Sequence, residues 1–261
     1  MIPEPVEGRV SIIVLNWNSD DLGTAATASA FAQNWHDIEV IVVDNASTDA
    51  SLSLIRRDHP SASFVVNDKN LGFGGGMNAG IARATGEFVL PLNCDARLAP
   101  DYCRFAIDTL RQHERAAAVG GTVVSPRVAP SGPLRISPTM RTAALPLGEP
   151  MACDKVNGAC PLFRAHALAD IVSRFGGPYD ADYFTYGEDI DLAKSLARLD
   201  WTFRYDPRAT AEHVRSFGSS PRLADRRGRL RVTTLTNRHR NILRHGRRPW
   251  LAVALFAVVQ D

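Results

Sequence analysis

Cysteine is scarce in this chain. Its 261 residues hold four, Cys94, Cys103, Cys153 and Cys160, and no two of them form a C-x-x-C pair. A disulfide scaffold is therefore excluded as the source of stability, and reduced thiols of a cytosolic protein are the expectation. Long apolar runs are missing as well. The longest, Trp250–Val259, has ten residues, half of the roughly 20 that a spanning helix needs. Residues 1–9 hold two Glu, one Arg and two Pro, and the Val10–Leu15 run behind them is too short for a signal-peptide core. The expectation is a cytoplasmic protein with no segment across a bilayer. Net charge is small too, +2 from 30 Lys+Arg against 28 Asp+Glu, and repeats and low-complexity tracts are absent. With 45% apolar and 22% charged residues, the composition excludes disorder as the main state and permits a sizeable core.

What is present first is an alternation. Val10–Asn16, Glu39–Asn45, Ser63–Asn67 and Glu87–Asn93 are short runs rich in Val and Ile that read as strands covered on both faces. Between them Asp20–Gln33, Thr48–Asp58 and Met77–Ala84 carry helical patterns. That order predicts an α/β fold, a mixed and mainly parallel sheet flanked by helices. From Pro126 to Pro150, six Pro and two Gly break the pattern and predict an irregular loop or flap. Beyond it a strand is expected over Lys155–Phe163, helices over Ala165–Arg174 and Glu188–Leu199, and two short strands over Thr202–Tyr205 and Thr210–Val214.

Polar residues gather where the strands end. Asn16-Trp17-Asn18, Asp44-Asn45-Ala46-Ser47 and Asn93-Cys94-Asp95 each follow a strand, and ligands of open parallel sheets bind outside such ends. Singly, each group suits a turn or helix cap; together they point to one crevice. Asp95 suits either a helix cap or a hard divalent cation. The Gly74-x-Gly76-x-x-Ala79 match to the dinucleotide fingerprint follows the third strand, not the first, which argues against a dehydrogenase. Its glycines either let backbone N–H groups approach a phosphate or only meet the geometry of a turn. Glu188, Asp189 and Asp191, behind the aromatic run Tyr183–Tyr186, suit a helix first turn or a base of tunable pKa. His213 at the last strand end gains meaning only from its company.

In order, V-S-I-I-V-L-N-W-N (10–18), V-V-D-N-A-S-T-D (42–49), N-L-G-F-G-G-G-M-N-A-G (70–80), L-N-C-D (92–95), N-G-A-C (157–160), G-G-P-Y-D-A-D-Y-F-T-Y-G-E-D-I-D-L (176–192) and H-V-R-S (213–216) resemble GT-A fold glycosyltransferases of family 2, and among them the bacterial rhamnosyltransferase-like members. The resemblance implies an inverting transferase that takes a dTDP- or UDP-linked sugar. Asn16, Asn18 and Asp44 would hold the base and ribose, with Gly74 and Asn78 nearby and Asn93 also binding the donor. Asp95 would bind Mg²⁺ or Mn²⁺, with His213 completing that site. Asp189 would be the general base, with Glu188 second, and Asn157, Gly158 and Ala159 would line the sugar or acceptor pocket. The implied acceptor is a cell-surface glycan or a polyprenyl-diphosphate-linked one. The first metal-motif position is Asn93 rather than an acid, which keeps open a catalytically silent nucleotide- or membrane-binding partner in a glycan-assembly complex. The Q-x-x-R-W motif of processive members is absent, as is the Lys-containing, Gly-rich signature of sugar-nucleotide pyrophosphorylases.

The small net charge hides an asymmetry. Residues 222–248 contain ten Arg and one Asp, a net +9 that leaves −7 for the rest of the chain. The predicted division is a catalytic domain over 1–220 and a basic appendage over 221–261. No aromatic residue interleaves the arginines before Trp250, so nucleic acid is not the expected partner. The apolar Trp250–Phe256 stretch behind them suits docking on an anionic membrane surface, peripheral on its inner face.

Overall fold

A computed structural model describes residues 3–126, 128–175, 177–214 and 223–246, of which 173–175 and 223–231 in backbone only. The first half follows the expected alternation: β1 (Val6–Asn16), α1 (Leu22–Phe31), β2 (Ile38–Asp44), α2 (Ser51–Asp58), β3 (Ser63–Val66), α3 (Gly72–Ile81) and β4 (Gly86–Asn93). After them come β5 (Ala96–Leu98), α4 (Tyr102–Gln112), β6 (Ala116–Ser125) and β7 (Val128–Ser131). The second half contains β8 (Pro133–Ile136), β9 (Thr142–Ala144), β10 (Met151–Cys153), β11 (Lys155–Val156), β12 (Leu162–Arg164), α5 (Ala165–Phe175), α6 (Glu188–Ala197), β13 (Thr202–His213) and α7 (Leu223–His245).

The central sheet runs β10-β13-β6-β12-β4-β1-β2-β3, with β5 beside β13 and β7 beside β6. Pairings of β1 with β2 and β4, of β2 with β3 and of β6 with β13 are parallel, whereas β12 runs antiparallel between β4 and β6. Side chains alternate across β1. Ile12 and Val14 face a core shared with α1, α2 and α4, while Ile13 faces one shared with α3, α5 and α6. All three are fully buried, each contributing about 1.5–3 kcal/mol. This is the three-layer arrangement that near-continuous apolar strands require.

Three local expectations are revised, the first being the strand over Lys155–Phe163, which is two: β11 in a second sheet and β12 in the central one. Residues 126–155 are not an irregular flap: they supply β7 to β10, and β8 pairs with β9 and β11 in a second, three-stranded sheet. The prolines had masked this, yet Pro133 opens its strand and Pro130 lies in the short β7, placements that strands tolerate at edges and starts. Strand β6 gave little signal because Ala-Ala-Ala-Val-Gly-Gly has low β propensity. The two short strands expected after Leu199 are one, β13, whose pairing with β6 shifts register between Tyr205 and Thr210.

The glycine-rich segment is itself helical. A Cβ at Gly80 would lie 2.4 Å from Ile13 Cγ2, and one at Gly76 would lie 2.5 Å from Leu15 Cδ1. Small residues there let α3 sit close on the sheet. The first turn of α3 is also occupied, since the Phe73 N–H donates to the Phe184 carbonyl at 2.8 Å. Gly76 and Gly80 therefore serve close packing on the sheet.

Candidate active site

Parallel pairing sets the strand ends side by side. Asn16 is in register with Asp44, and Leu15 with Asn93. Asn16 is fully buried, and its Nδ2 donates to Asp44 Oδ1 at 2.7 Å, Ser51 Oγ at 3.0 Å and Ser47 Oγ at 3.1 Å. The second Asp44 oxygen accepts the Ser47 N–H at 3.0 Å. Asp44 is itself only 1% exposed, so Asn16 and Asp44 both act on a ligand through the 47–51 loop that they hold. Asn18 is exposed, and its Oδ1 accepts the Thr48 N–H at 2.7 Å. Asn18, Asp20 and Ala46 have φ of 48°, 51° and 60°. Non-glycine residues in the left-handed region are uncommon, and such backbone strain clusters at ligand sites.

At the end of β4 the Asn93 N–H donates to the Ala159 carbonyl at 3.0 Å. Asp95 follows, and the antiparallel pairing of β5 with β13 brings His213 opposite Ala96. His213 Nε2 lies 2.9 Å from Asp95 Oδ1, and both side chains are largely buried. The other ring nitrogen, Nδ1, is buried without a hydrogen-bond partner among the described residues. Burial, and then the Asp95 charge, push the Cys94 thiol up to about 12. No group of three or more potential ligands occurs among the described residues. A carboxylate and an imidazole already in contact nevertheless fit a hard cation that takes its remaining ligands from phosphate oxygens and water.

The segment after the second sheet faces α6. Lys155 is buried, and its Nζ lies 2.6 Å from Asp189 Oδ2; a third of the Asp189 side chain is exposed. Asp189 Oδ1 accepts the Ile190 N–H at 2.9 Å. A Cβ on Gly158 would lie 3.3 Å from Asp189 Oδ2, tight enough to press on the carboxylate. Glu188 is buried, with Oε2 unpartnered among the described residues. Burial, and then the neighbouring Asp189 charge, push its carboxyl up to about 8. The two acids of the pair thus occupy different environments, one dry and one reachable from solvent.

The turn at Asn157–Ala159 links these halves. Its Asn157 side chain is engaged, donating to Ser131 Oγ at 2.6 Å and accepting the Ala159 N–H at 2.9 Å. Ala159 is buried and touches the site through its carbonyl, so it does not line a pocket wall as expected. Gly74 and Asn78 depart further. Asn78 exchanges two hydrogen bonds with the Tyr179 backbone, at 2.7 and 3.1 Å, and a Cβ on Gly74 would lie 3.2 Å from Tyr179 Cβ. They seat the loop before Asp189 and are not free groups beside the strand ends. Arg208 pairs with buried Asp206 at 2.7 Å. Sequence reading missed Lys155, whose signal was a lone charge opening an apolar strand. It also missed Asn237 and Asn241 of α7, which are buried against residues 185–187.

The chain resembles proteins of known activity and structure. Residues 11–168 match the model of "Glycosyl transferase family 2". The succinoglycan biosynthesis protein ExoO of Rhizobium meliloti is 36% identical over 115 residues, 44% of this chain; the chain spans only 31% of that relative's length. The N-acetylglucosaminyl-diphospho-decaprenol L-rhamnosyltransferase of Mycobacterium tuberculosis is 26% identical over 228 residues, covering 70% of this chain and 69% of its own. Among solved structures, the mannosyltransferase PcManGT of Pyrobaculum calidifontis, in complex with GDP-Man and Mn²⁺, superposes with a TM-score of 0.65 at 22% identity, covering 94% of this chain and 67% of that one. That likeness extends the fold over parts of the chain beyond residue 168. The chain therefore belongs to glycosyl transferase family 2, and its sheet is that of a GT-A fold.

Proposed function

We propose that this chain is a metal-dependent, inverting glycosyltransferase that moves one sugar from a nucleotide-linked donor to a glycan or lipid-linked acceptor. The observation that carries this reading is the 157–159 turn, which accepts a hydrogen bond from Asn93 at the end of β4 through Ala159 and passes beside Asp189 at the start of α6 at Gly158. A donor held at the strand ends then has its reacting carbon facing the only acid of the E-D pair that solvent reaches.

Asn18 holds the nucleoside, with buried Asn16 and Asp44 fixing the 47–51 loop beside it from below. Asp95 and His213 would hold Mg²⁺ or Mn²⁺ near the diphosphate, with Asn93 alongside, and charge on the leaving group would be offset there. The Asp189 carboxylate takes the proton of an acceptor hydroxyl. That oxygen forms a bond to the anomeric carbon as the bond to the diphosphate breaks, the diphosphate leaves with the electron pair, and configuration inverts. Lys155 fixes the plane of the Asp189 carboxylate, and Gly158 keeps the space in front of it clear. Resemblance favours rhamnose from a dTDP or UDP donor, and the decaprenol-linked relative favours a polyprenyl-diphosphate acceptor.

Helix α7 adds a place of action. Exposed Val232, Leu235 and Leu243 fall on the face opposite Asn237 and Asn241, within the Arg-rich run. Such a face suits an anionic membrane surface, peripheral on the inner side of the cell membrane. No described helix is long and apolar enough to cross a membrane. The Trp250–Phe256 stretch invoked above lies outside the described residues.

Incubation with UDP-, dTDP- and GDP-linked sugars and Mn²⁺, followed by measurement of released nucleoside diphosphate, tests the activity. Release from no donor, with or without a lipid-linked acceptor, overturns the reading. Flotation with phosphatidylglycerol vesicles but not phosphatidylcholine vesicles is expected for the membrane role, and equal binding to both speaks against it.

A further inference from the structure

We propose that helix α7 is a positioning element of the active site, in which Asn237 and Asn241 hold the turn that presents Asp189. This rests on the assignment of Asp189 as the base. The turn is the strained point of the loop, because Tyr186 and Gly187 have successive φ values of 64° and 96°. A tyrosine in the left-handed region is costly and persists only where its surroundings hold it. Those surroundings are side chains of α7. Asn237 Nδ2 donates to the Thr185 carbonyl at 2.9 Å and to the Tyr186 carbonyl at 2.7 Å. Asn241 Nδ2 donates to the Gly187 carbonyl at 2.9 Å, and its Oδ1 accepts the Tyr183 hydroxyl at 2.8 Å.

Both asparagines are buried, at 2% and 0% exposure, so each amide does what water cannot do there. Four residues apart, they share one face of α7. Charged side chains extend the grip. Arg240 donates to the Asp182 carbonyl at 2.6 Å, Arg244 pairs with Asp180 at 2.7 Å and Asp191 at 3.0 Å, and His245 reaches Asp191 at 2.7 Å. The helix thereby holds residues on both sides of Glu188 and Asp189. An asparagine side chain suits the turn because one amide supplies both the donor and the acceptor that αL carbonyls and the tyrosine hydroxyl need.

The strand ends proposed to bind the donor lie on other elements, so the inference separates donor binding from turnover. Full-length Asn237→Ala and Asn241→Leu, with the isosteric Asn241→Asp, provide the test. Asn241→Asp keeps the volume and the acceptor for Tyr183 but loses the N–H to Gly187. In all three variants, amide hydrogen exchange at residues 185–191 is expected to accelerate at least about tenfold while β1, β2 and β4 stay protected. With the best donor from the panel, kcat is expected to fall at least about tenfold with donor KM within about twofold, as misplacement of a reacting group predicts. Unchanged exchange in Asn237→Ala and Asn241→Asp overturns the proposal even if Asn241→Leu fails to fold. Accelerated exchange with unchanged kcat also overturns it. If the wild-type chain turns over no donor, the proposed function fails separately, and the exchange data alone decide whether α7 holds the turn.

Discussion

Replacing Asp189 with asparagine leaves the Lys155 ammonium buried without a counter-charge, and the size of that effect separates two roles of one carboxylate. The pair is 2.6 Å apart, with 5% of the lysine and 34% of the aspartate side chain exposed. At that distance the gross attraction is about 6 kcal/mol for an effective dielectric constant of about 20, most of it offset by the cost of desolvating the ammonium. Removing one partner of a fully buried pair costs about 3–5 kcal/mol. Here water reaches the aspartate, and the asparagine oxygen still accepts from Nζ, so about 1–3 kcal/mol is expected. For a chain of this size that lowers Tm by about 5 °C. Lys155→Met removes the desolvation cost together with the attraction and is expected to change stability by less than about 1 kcal/mol. The double variant is then expected to regain most of the melting temperature lost in Asp189→Asn. Turnover should behave differently. Loss of a general base costs about 10²–10⁴ in rate, and restoring stability does not restore a base. Thermal melts and nucleoside diphosphate release on the wild type, both single variants and the double variant provide the measurement. Turnover that recovers along with Tm in the double variant would show Asp189 to be an ion-pair partner only.

Glu188 makes stability depend on pH. Its folded carboxyl is pushed from 4.5 up to about 8 by burial first and the Asp189 charge second, so between those values the native state holds a proton that the unfolded chain has released. Its stabilising contribution is complete below about pH 4.5 and is lost as pH rises through about 8. Tm should fall over that window in the wild type and fall less in Glu188→Gln; parallel curves contradict the assignment. Gly187→Ala places a Cβ at φ 96°, 3.1 Å from Asn237 Cβ, and is expected to cost about 1–2 kcal/mol from backbone strain alone, read by chemical denaturation; an unchanged midpoint refutes it. Chelation by EDTA is expected to cut turnover at least about tenfold, since even 1.4 kcal/mol of charge stabilisation is worth that much, and added Mn²⁺ to restore it. Turnover indifferent to EDTA removes the metal role of Asp95 and His213.

The alternation of Val- and Ile-rich strands with helices, and the polar residues at the ends of β1, β2 and β4, were legible because both are local. Period and turn chemistry belong to short stretches of chain. What each polar residue does was less legible. Asn16 and Ala159 read as ligand contacts, yet register buries one beneath Asp44 and turns the other's carbonyl toward Asn93. The glycine-rich segment read as a phosphate loop or a turn, but whether a missing Cβ serves a ligand or a neighbour depends on what packs there; the neighbours are Leu15, Ile13 and the loop at Tyr179.

By itself, then, the sequence determined the layered α/β architecture, the polar strand ends and the candidacy of Asp95, Glu188, Asp189 and His213. Tertiary structure supplied the contact that the resemblance had implied between His213 and Asp95, across 118 positions, and alone decided that Lys155 pairs with Asp189 and that a helix read as a basic appendage grips the loop ahead of Asp189. The reason is physical. A charge run announces its affinity for anions whatever it packs against, whereas Asn237 and Asn241 acquire their partners only when α7 folds back over residues 185–187, and no spacing along the chain encodes that contact.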